Sequence, residues 1–432
     1  MTRCIRVISL VAMGLILPGL GFAQERGTKP RVAAGMDGLT TPEGQIEVID
    51  QRSQPRKSLF RSPLQPAQDS LAAWKKSIYD ASNFKFGLAL HTVYQYSDSV
   101  IDGTDDSGTA SDFDFIGTWE LLNVGTPTQG ELSFGIEGRW EYGRDGPQTI
   151  GFANIGAAGG TANTFSKYED PQFILRNLYW KQGSPEAGWV YRLGKITTDA
   201  MLFTNAHLTP NTTFLSNAGT GQFANSYADS GFGAAGAVYF DNARGYVGGA
   251  IADANGDRSD WGYISEGDFY VGLELGYKIR PMTDTAGYSK FLLWRTDGTS
   301  DGAPINGNTG SDGWGWGVLL EQQLSTDGNT VAVGRFSKSY DKAAIYDTQG
   351  ALAVLFYEPF GWFETDVVGF QYNYIDPFAS GTRDEHTFEA FYRLPVTTGV
   401  DFALAYQHIH HPGNTREIDS ANVFSIRLTP SF

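Results

Sequence analysis

The feature that most constrains this chain is a repeated alternation of apolar and polar residues with a period of two. Successive side chains on a strand point to opposite faces, so each such stretch is a strand with one greasy and one wetter side. Stretches of this kind lie near 84–97, 113–124, 131–142, 172–182, 189–196, 232–240, 245–253, 269–279, 289–296, 314–324, 330–338, 350–358, 366–375, 386–394, 400–408 and 422–432. They make about sixteen strands of roughly ten residues, the length and even count of a transmembrane barrel. The connections between them alternate. Residues 98–112, 143–171, 197–231, 254–268, 297–313, 339–349, 376–385 and 409–421 are long, and the intervening turns are mostly short. Long loops on one side and short turns on the other is the pattern of an outer-membrane barrel, outside and periplasm respectively. A soluble sandwich has no reason to keep it.

The last stretch states the pattern most clearly. Phe424, Ile426, Leu428, Pro430 and Phe432 share one face, and Val423, Ser425, Arg427, Thr429 and Ser431 the other. An apolar strand ending on phenylalanine is expected where the last strand closes a barrel against the first. The fold class expected is therefore all-β: an antiparallel transmembrane barrel of about sixteen strands.

Composition agrees. Of 432 residues, 10 are Trp, 21 Tyr, 28 Phe and 53 Gly, which suits aromatic girdles and close strand packing. No stretch beyond the first segment approaches the length of a transmembrane helix. The net charge of -16 argues against a broad nucleic-acid surface.

Four segments follow from this reading. Residues 1–23 form an export signal: Arg3 and Arg6, an apolar run Ile8 to Leu20, then small residues around Ala23. Cys4, the chain's one cysteine, falls within it. Residues 24–65, with Pro30, Pro42, Pro55 and Pro63, read as a flexible polar periplasmic linker whose Arg52, Arg56, Lys57 and Arg61 are solvated. Residues 66–82 read as a short amphipathic helix through Leu71, Trp74 and Ile78, either capping or entering the lumen or lying on the surface. Residues 83–432 form the barrel.

The faces can be assigned by parity. Phe269, Val271, Leu273, Leu275, Tyr277, Ile279, Trp314, Trp316, Val318, Leu320, Phe402, Leu404 and Tyr406 face lipid, and none is charged. Glu120, Glu137, Arg139, Arg192, Glu274, Lys278, Glu321, Glu389, Arg393 and Arg427 face the lumen. Mixed carboxylate and guanidinium groups hold hydroxyl-rich neutral solutes well, and serve poorly as an anion filter. The same groups also brace a wall by pairing. Loop 197–231, with Asn205, Asn211, Asn217, Asn225, Phe203, Phe214 and Phe223, is either an external lid or a plug folded into the pore.

Metal signals are weak. Asp253, Asn255, Asp257 and Asp260, and likewise Asp297 and Asp301, resemble an acidic calcium loop without its register, so a structural Ca²⁺ competes with a solvated loop. His408, His410 and His411 suggest a metal only by residue type. No cofactor is expected.

Several phrases together resemble the carbohydrate-selective porins of the OprB family. They are Arg192-Leu-Gly-Lys195, Phe203-Thr-Asn205, Phe214-Leu-Ser-Asn-Ala218, Glu389-Ala-Phe-Tyr-Arg393, Val396-Thr397, Gln407-His-Ile-His-His-Pro412-Gly413, Phe424-Ser-Ile-Arg427-Leu428 and Phe432. The likeness runs from about 70 to 432 and is densest after 385. It implies a sixteen-stranded outer-membrane barrel passing sugars inward, with an arginine- and glutamate-bearing constriction. By matching phrase, Arg192, Lys195, Asn205, Glu389, Arg393 and Arg427 become lumen candidates; Glu137, Arg139 and Glu274 join them by parity. The long linker and the base-poor middle depart from the family pattern.

The expected function is passive diffusion of mono- or small oligosaccharides, without catalysis. Expected partners are sugar solutes, outer-membrane lipid and lipopolysaccharide, and the barrel-assembly machinery, for a monomer or homotrimer and without nucleic acid. A general or cation-favouring porin is the first alternative. A secreted β-sandwich glycosidase using Glu137 and Glu274 as paired carboxylates, or a barrel anchoring the envelope through residues 24–65, are the others.

Overall fold

The computed structural model describes residues 36, 38, 40–61, 65–142, 149–162, 173–262, 264–278, 288–300, 302, 304 and 308–432. Sixteen strands close one antiparallel barrel. They are β1 (Phe84–Ser97), β2 (Ser107–Leu122), β3 (Gly130–Glu141), β4 (Phe173–Ser184), β5 (Trp189–Ile196), β6 (Gly231–Phe240), β7 (Gly245–Asp253) and β8 (Phe269–Tyr277). The second half holds β9 (Ser289–Thr296), β10 (Gly313–Gln323), β11 (Thr330–Ser339), β12 (Tyr346–Tyr357), β13 (Val367–Pro377), β14 (Glu385–Thr397), β15 (Val400–His410) and β16 (Ser420–Pro430). Each strand pairs with its neighbours in sequence, and β16 pairs with β1 through Val93 opposite Arg427 and Tyr96 opposite Phe424. Closure removes every unpaired edge, which oil would otherwise penalise by several kcal/mol per exposed backbone group.

All sixteen stretches read from the alternation are strands, with ends moved by a few residues. The largest shift is in β2, which begins at Ser107, so the first external loop is shorter than expected. The parity assignment holds. Leu273, Leu320 and Leu404 lie exposed on the outer face, as do Phe424, Ile426 and Leu428, while Val423, Ser425, Arg427 and Thr429 are buried inside. Phe269, Trp316 and Leu404 are therefore not packed in a dry interior, which removes the β-sandwich alternative. Ile279 lies outside the described residues, as does the export signal.

Two helices precede the barrel, and they correct the reading of the amino-terminal part. α1 (Pro42–Ser53) occupies what was read as a linker. The Thr41 hydroxyl caps it by accepting from Gly44 N at 3.3 Å, Pro42 opens the first turn, and Glu43 and Arg52 match the dipole at its two ends. Only Ile46 and Ile49 form its apolar seat, on Ala89 of β1 and Ile116 of β2, too few to register as periodicity. Because Ala89 and Ile116 point inward, α1 lies inside the barrel. Gly87 makes room for it: a Cβ there would stand 2.9 Å from Ile49 Cδ1.

α2 (Gln65–Ser82) matches the expected helix and sits at the inner mouth, where Lys75 reaches Asp50 of α1 at 3.0 Å and Tyr79 donates to the lumen-facing Glu120 at 3.0 Å. Its Trp74 packs edge-on against Phe86, whose ring belongs to the outer aromatic cluster of Phe84, Phe115 and Phe134. α2 thus straddles the rim that carries the short turns, with Trp74 on the outer wall and Lys75 and Tyr79 over its inner edge. No described helix is long and apolar enough to cross a membrane.

Candidate functional site

The lumen is filled largely by loop 197–230, between β5 and β6. A loop inside a barrel carries backbone groups that need partners, and the wall charges supply them. Glu389 of β14 accepts from Leu215 N at 2.6 Å and Ser216 N at 2.8 Å. Glu274 of β8 accepts from Phe203 N, and Glu321 of β10 from Ala206 N at 3.1 Å. Arg393 donates to Thr212 O at 2.9 Å, and Arg427 to Thr213 O at 3.0 Å and to Pro210 O. Arg335 of β11 donates to Gly219 O at 3.0 Å, at the short helix α4 (Asn217–Thr220). Apolar side chains seat the same loop. Phe214 meets Phe391 edge-to-face at 4.8 Å, and Phe203 sits over Gly317.

The loop between β3 and β4 also turns inward, through the short helix α3 (Phe152–Ile155). Glu385 accepts from Ala158 N at 2.7 Å and Gly159 N at 2.9 Å, and Gln407 donates to Thr161 O at 3.0 Å.

Between these loops and the wall of β1–β4 a cavity of about 690 Å³ remains. One side is the wall: His91, Asp112, Asp114, Glu137, Arg139, Arg176 and Asn177. The other is loop 197–230, which contributes Asp199, Asn205, Asn211, Asn217 and Gln222, with Phe223 and Tyr227. Phe152, Phe378 and Asn414 border it at the end with the long loops, and Gln45, Val48, Ile49 and Arg52 of α1 at the other.

The charges along the cavity are paired and held in place. Arg139 contacts Glu137 and approaches Asp112 at 3.5 Å. Arg176 reaches Glu137 at 2.9 Å, and His91 lies 3.6 Å from Asp114. Arg258 reaches Asp229 at 3.0 Å. In all, four carboxylates (Asp112, Asp114, Glu137, Asp199) and four guanidinium groups (Arg52, Arg139, Arg176, Arg258) line the space. Burial inside the lumen pushes the Asp199 carboxyl up to about 6, and pulls Arg52 down to about 10 against the pull of Asp401.

Of the nine residues singled out from the sequence, Glu137, Arg139 and Asn205 line the cavity. Asn205 is also a turn-former, accepting from His207 N at 2.8 Å and Leu208 N at 2.6 Å. Glu274, Glu389, Arg393 and Arg427 instead clamp the inward loop. Lys195 donates to Arg258 O and Asp260 O, holding the loop after β7. Arg192 is fully buried in the wall. Glu137 and Glu274 do not share a site, so the paired-carboxylate reading has no geometry behind it. The carboxylates of the acidic loop are engaged with their own turn: Asp253 accepts from Asn255 N at 2.9 Å, Asp257 from Asp260 N at 3.1 Å and Asp260 from Gly262 N at 2.8 Å. No group of His, Cys, Asp and Glu among the described residues is arranged to hold a metal; Asp301 lies outside them.

The parity reading did not reach Asp112, Arg176 or α1. Asp112 fell outside β2 as first bounded. Arg176 has outward parity, but the register shifts between Gly135 and Ile136 and bulges the strand at this residue, so it turns in to Glu137. The Thr41-Pro42-Glu43 cap was the available signal for α1.

A sequence model of the family described as "Carbohydrate-selective porin, OprB family" matches residues 153–432. No curated protein matches the chain. Among solved structures, the high-pH form of Pseudomonas putida OprB superposes with a TM-score of 0.61 at 13% identity, covering 84% of this chain and 97% of that one. The low-pH form gives 0.51 at 13% identity, covering 88% and 100%. At such identity the likeness is one of fold.

Proposed function

Because the chain belongs to the OprB family of carbohydrate-selective porins, an outer-membrane channel rather than an enzyme, we propose that it passes mono- and small oligosaccharides through the cavity beside loop 197–230. The observation that carries this reading is the balance of the lining: four carboxylates and four guanidinium groups in one space. Such a space has little net charge with which to concentrate either ion, yet it is dense in donors and acceptors for sugar hydroxyls. Asn205, Asn211, Asn217 and Gln222 add amides, and Phe223, Tyr227 and Phe152 add ring faces. Passage needs contacts weak enough to release the solute again, and hydrogen bonds exchanged one for one with water meet that need.

In this reading Glu137, Arg139 and Asn205 touch solute, while Glu389, Arg393, Arg427 and Glu274 hold the loop that shapes the path. Residues 1–23 direct export and are removed, the short-turn rim faces the periplasm, and the assembly machinery inserts the barrel with lipopolysaccharide around its long-loop rim. The chain works as a monomer or as a homotrimer of independent pores, which cross-linking in native membranes distinguishes.

Reconstitution in planar bilayers tests the reading. Glucose or maltose added to one side is expected to lower the ion current in a saturable way. A current indifferent to sugar, with free passage of cations, would establish the general or cation-favouring porin instead.

A further inference from the structure

The cavity runs from residues of the long loops, Phe378 and Asn414, to α1. None of the described residues of the short turns lines it. A solute moving inward therefore meets α1 last. We propose that α1, contributed by the segment ahead of the barrel, is the pore's inner constriction and a determinant of its specificity, presenting Gln45, Val48 and Arg52 to the solute in the space it shares with loop 197–230. This deepens the sugar-channel reading and rests on it.

Three further observations support the proposal. First, α1 is fixed to the wall at both ends. The Glu43 carboxylate accepts from Ser133 Oγ at 2.7 Å and from Tyr179 Oη at 2.9 Å. At the other end Arg52 Nε meets Asp401 Oδ2 at 3.0 Å, and Gly399 N donates to Arg52 O at 2.9 Å. An element held so firmly inside a lumen is part of the pore wall, not a tether passing by. Second, the barrel makes a seat for it, since Gly87, Ala89 and Ile116 leave a hollow that Ile46 and Ile49 fill. Third, its 12 residues span roughly 18 Å, long enough to cross much of a barrel mouth of this size. Where it lines the cavity α1 carries the Gln45 amide and, at its wall-anchored end, the Arg52 guanidinium, groups that suit a hydroxyl-rich neutral solute.

Substituted cysteines test this in the full chain, with Cys4→Ser to leave a single thiol. Gln45→Cys and Val48→Cys proteins are reconstituted in planar bilayers and treated with a cationic methanethiosulfonate. The expected result is a stepwise fall of about a third or more in single-channel conductance as the reagent narrows the pore. Asp69→Cys, on the exposed face of α2, is expected to label to the same extent by mass and to leave conductance unchanged. Thiols at 45 and 48 that label fully without changing conductance would overturn the proposal. Thiols at those positions that are never reached from the pore would overturn it equally. The sugar reading is judged separately, by glucose block of the untreated channel, so a channel blind to glucose yet throttled at position 45 would keep the constriction and lose the carbohydrate.

Discussion

Arg52, on a helix inside the barrel, and Asp401, on the barrel wall, meet through Nε and Oδ2 at 3.0 Å, and Arg56 reaches the other oxygen of the same carboxylate at 2.7 Å. Both arginines come from a stretch whose composition suggests a solvated linker, and all three side chains are buried. One carboxylate thus anchors two cations, and removing it leaves two buried charges without their main partner. Asp401→Asn is expected to lower the unfolding free energy by about 3 kcal/mol, the cost of breaking a buried ion pair from one side. Urea titration of the folded barrel in lipid, followed by its shift in gel mobility, checks this. A change within experimental error would mean that the pair is not an anchor.

Glu389 does for loop 197–230 what Asp401 does for α1. Its carboxylate accepts two backbone N–H groups, Leu215 and Ser216, and also the Gln407 amide at 3.0 Å. Glu389→Ala leaves these buried donors unmet, at about 1–3 kcal/mol each. The expected phenotype is a loop that leaves its seat part of the time. Single-channel records should show added open-state noise and a larger maximal conductance, and glucose block should weaken. Glu389→Gln, which keeps one acceptor oxygen, should fall between the two.

How far these roles can be read in the sequence depends on what encodes them. The barrel is written in local alternation, and Phe269 to Tyr277 or Phe424 to Leu428 carry it without help from the rest of the chain. The clamps are not local. Glu389 and Arg427 have the right parity for a lumen, but nothing near them says that their partners are backbone groups roughly 200 residues away. Parity gives the side of the wall and leaves open what stands on the far side. Gly317 is the clearest case. Between outward Trp316 and Val318 it looks like a spacer, yet its inward hydrogen faces Phe203. α1 was legible only through its cap, because two isoleucines suffice to seat it against Gly87, Ala89 and Ile116.

The Gly317 contact gives a further test. A Cβ at that position would lie 2.7 Å from Phe203 Cζ and 2.9 Å from Ser337 Oγ, on a strand that cannot retreat from its neighbours. Gly317→Val is therefore expected to displace the Phe203 ring and cost about 1–3 kcal/mol of stability by overpacking. Phe203→Ala in the same chain should restore part of the loss. If the double variant is no more stable than the single one, the two residues are not in conflict.

On the outer face the sign of the effect depends on depth. Leu404 lies near the middle of β15 and is exposed to the surroundings of the barrel, with no charged neighbour on either adjacent strand in register: Tyr392 and Ile426. Leu404→Arg is expected to cost about 2–4 kcal/mol in a bilayer, the price of an arginine at the membrane midplane. In detergent micelles, where the head group reaches water more easily, the loss should shrink. Equal losses in both media would argue that Leu404 does not face lipid.

Asp199 supplies a pH dependence whose direction follows from its surroundings. In the unfolded chain its carboxyl has the ordinary value of 3.8; in the lumen, burial raises it to about 6. The folded state therefore binds this proton more tightly than the unfolded one. Its contribution to stability is full below about pH 4 and declines as the pH climbs through 6, then stays level. The pore changes over the same interval, because a cavity residue that is neutral at pH 5 is anionic at pH 7. The ratio of cation to anion permeability, measured from reversal potentials in a salt gradient, should rise between pH 5 and 7. Asp199→Asn should flatten that rise and make the channel at pH 7 behave like the unaltered one at pH 5. A rise that persists in Asp199→Asn would assign the titration to another group and leave Asp199 out of the conducting path.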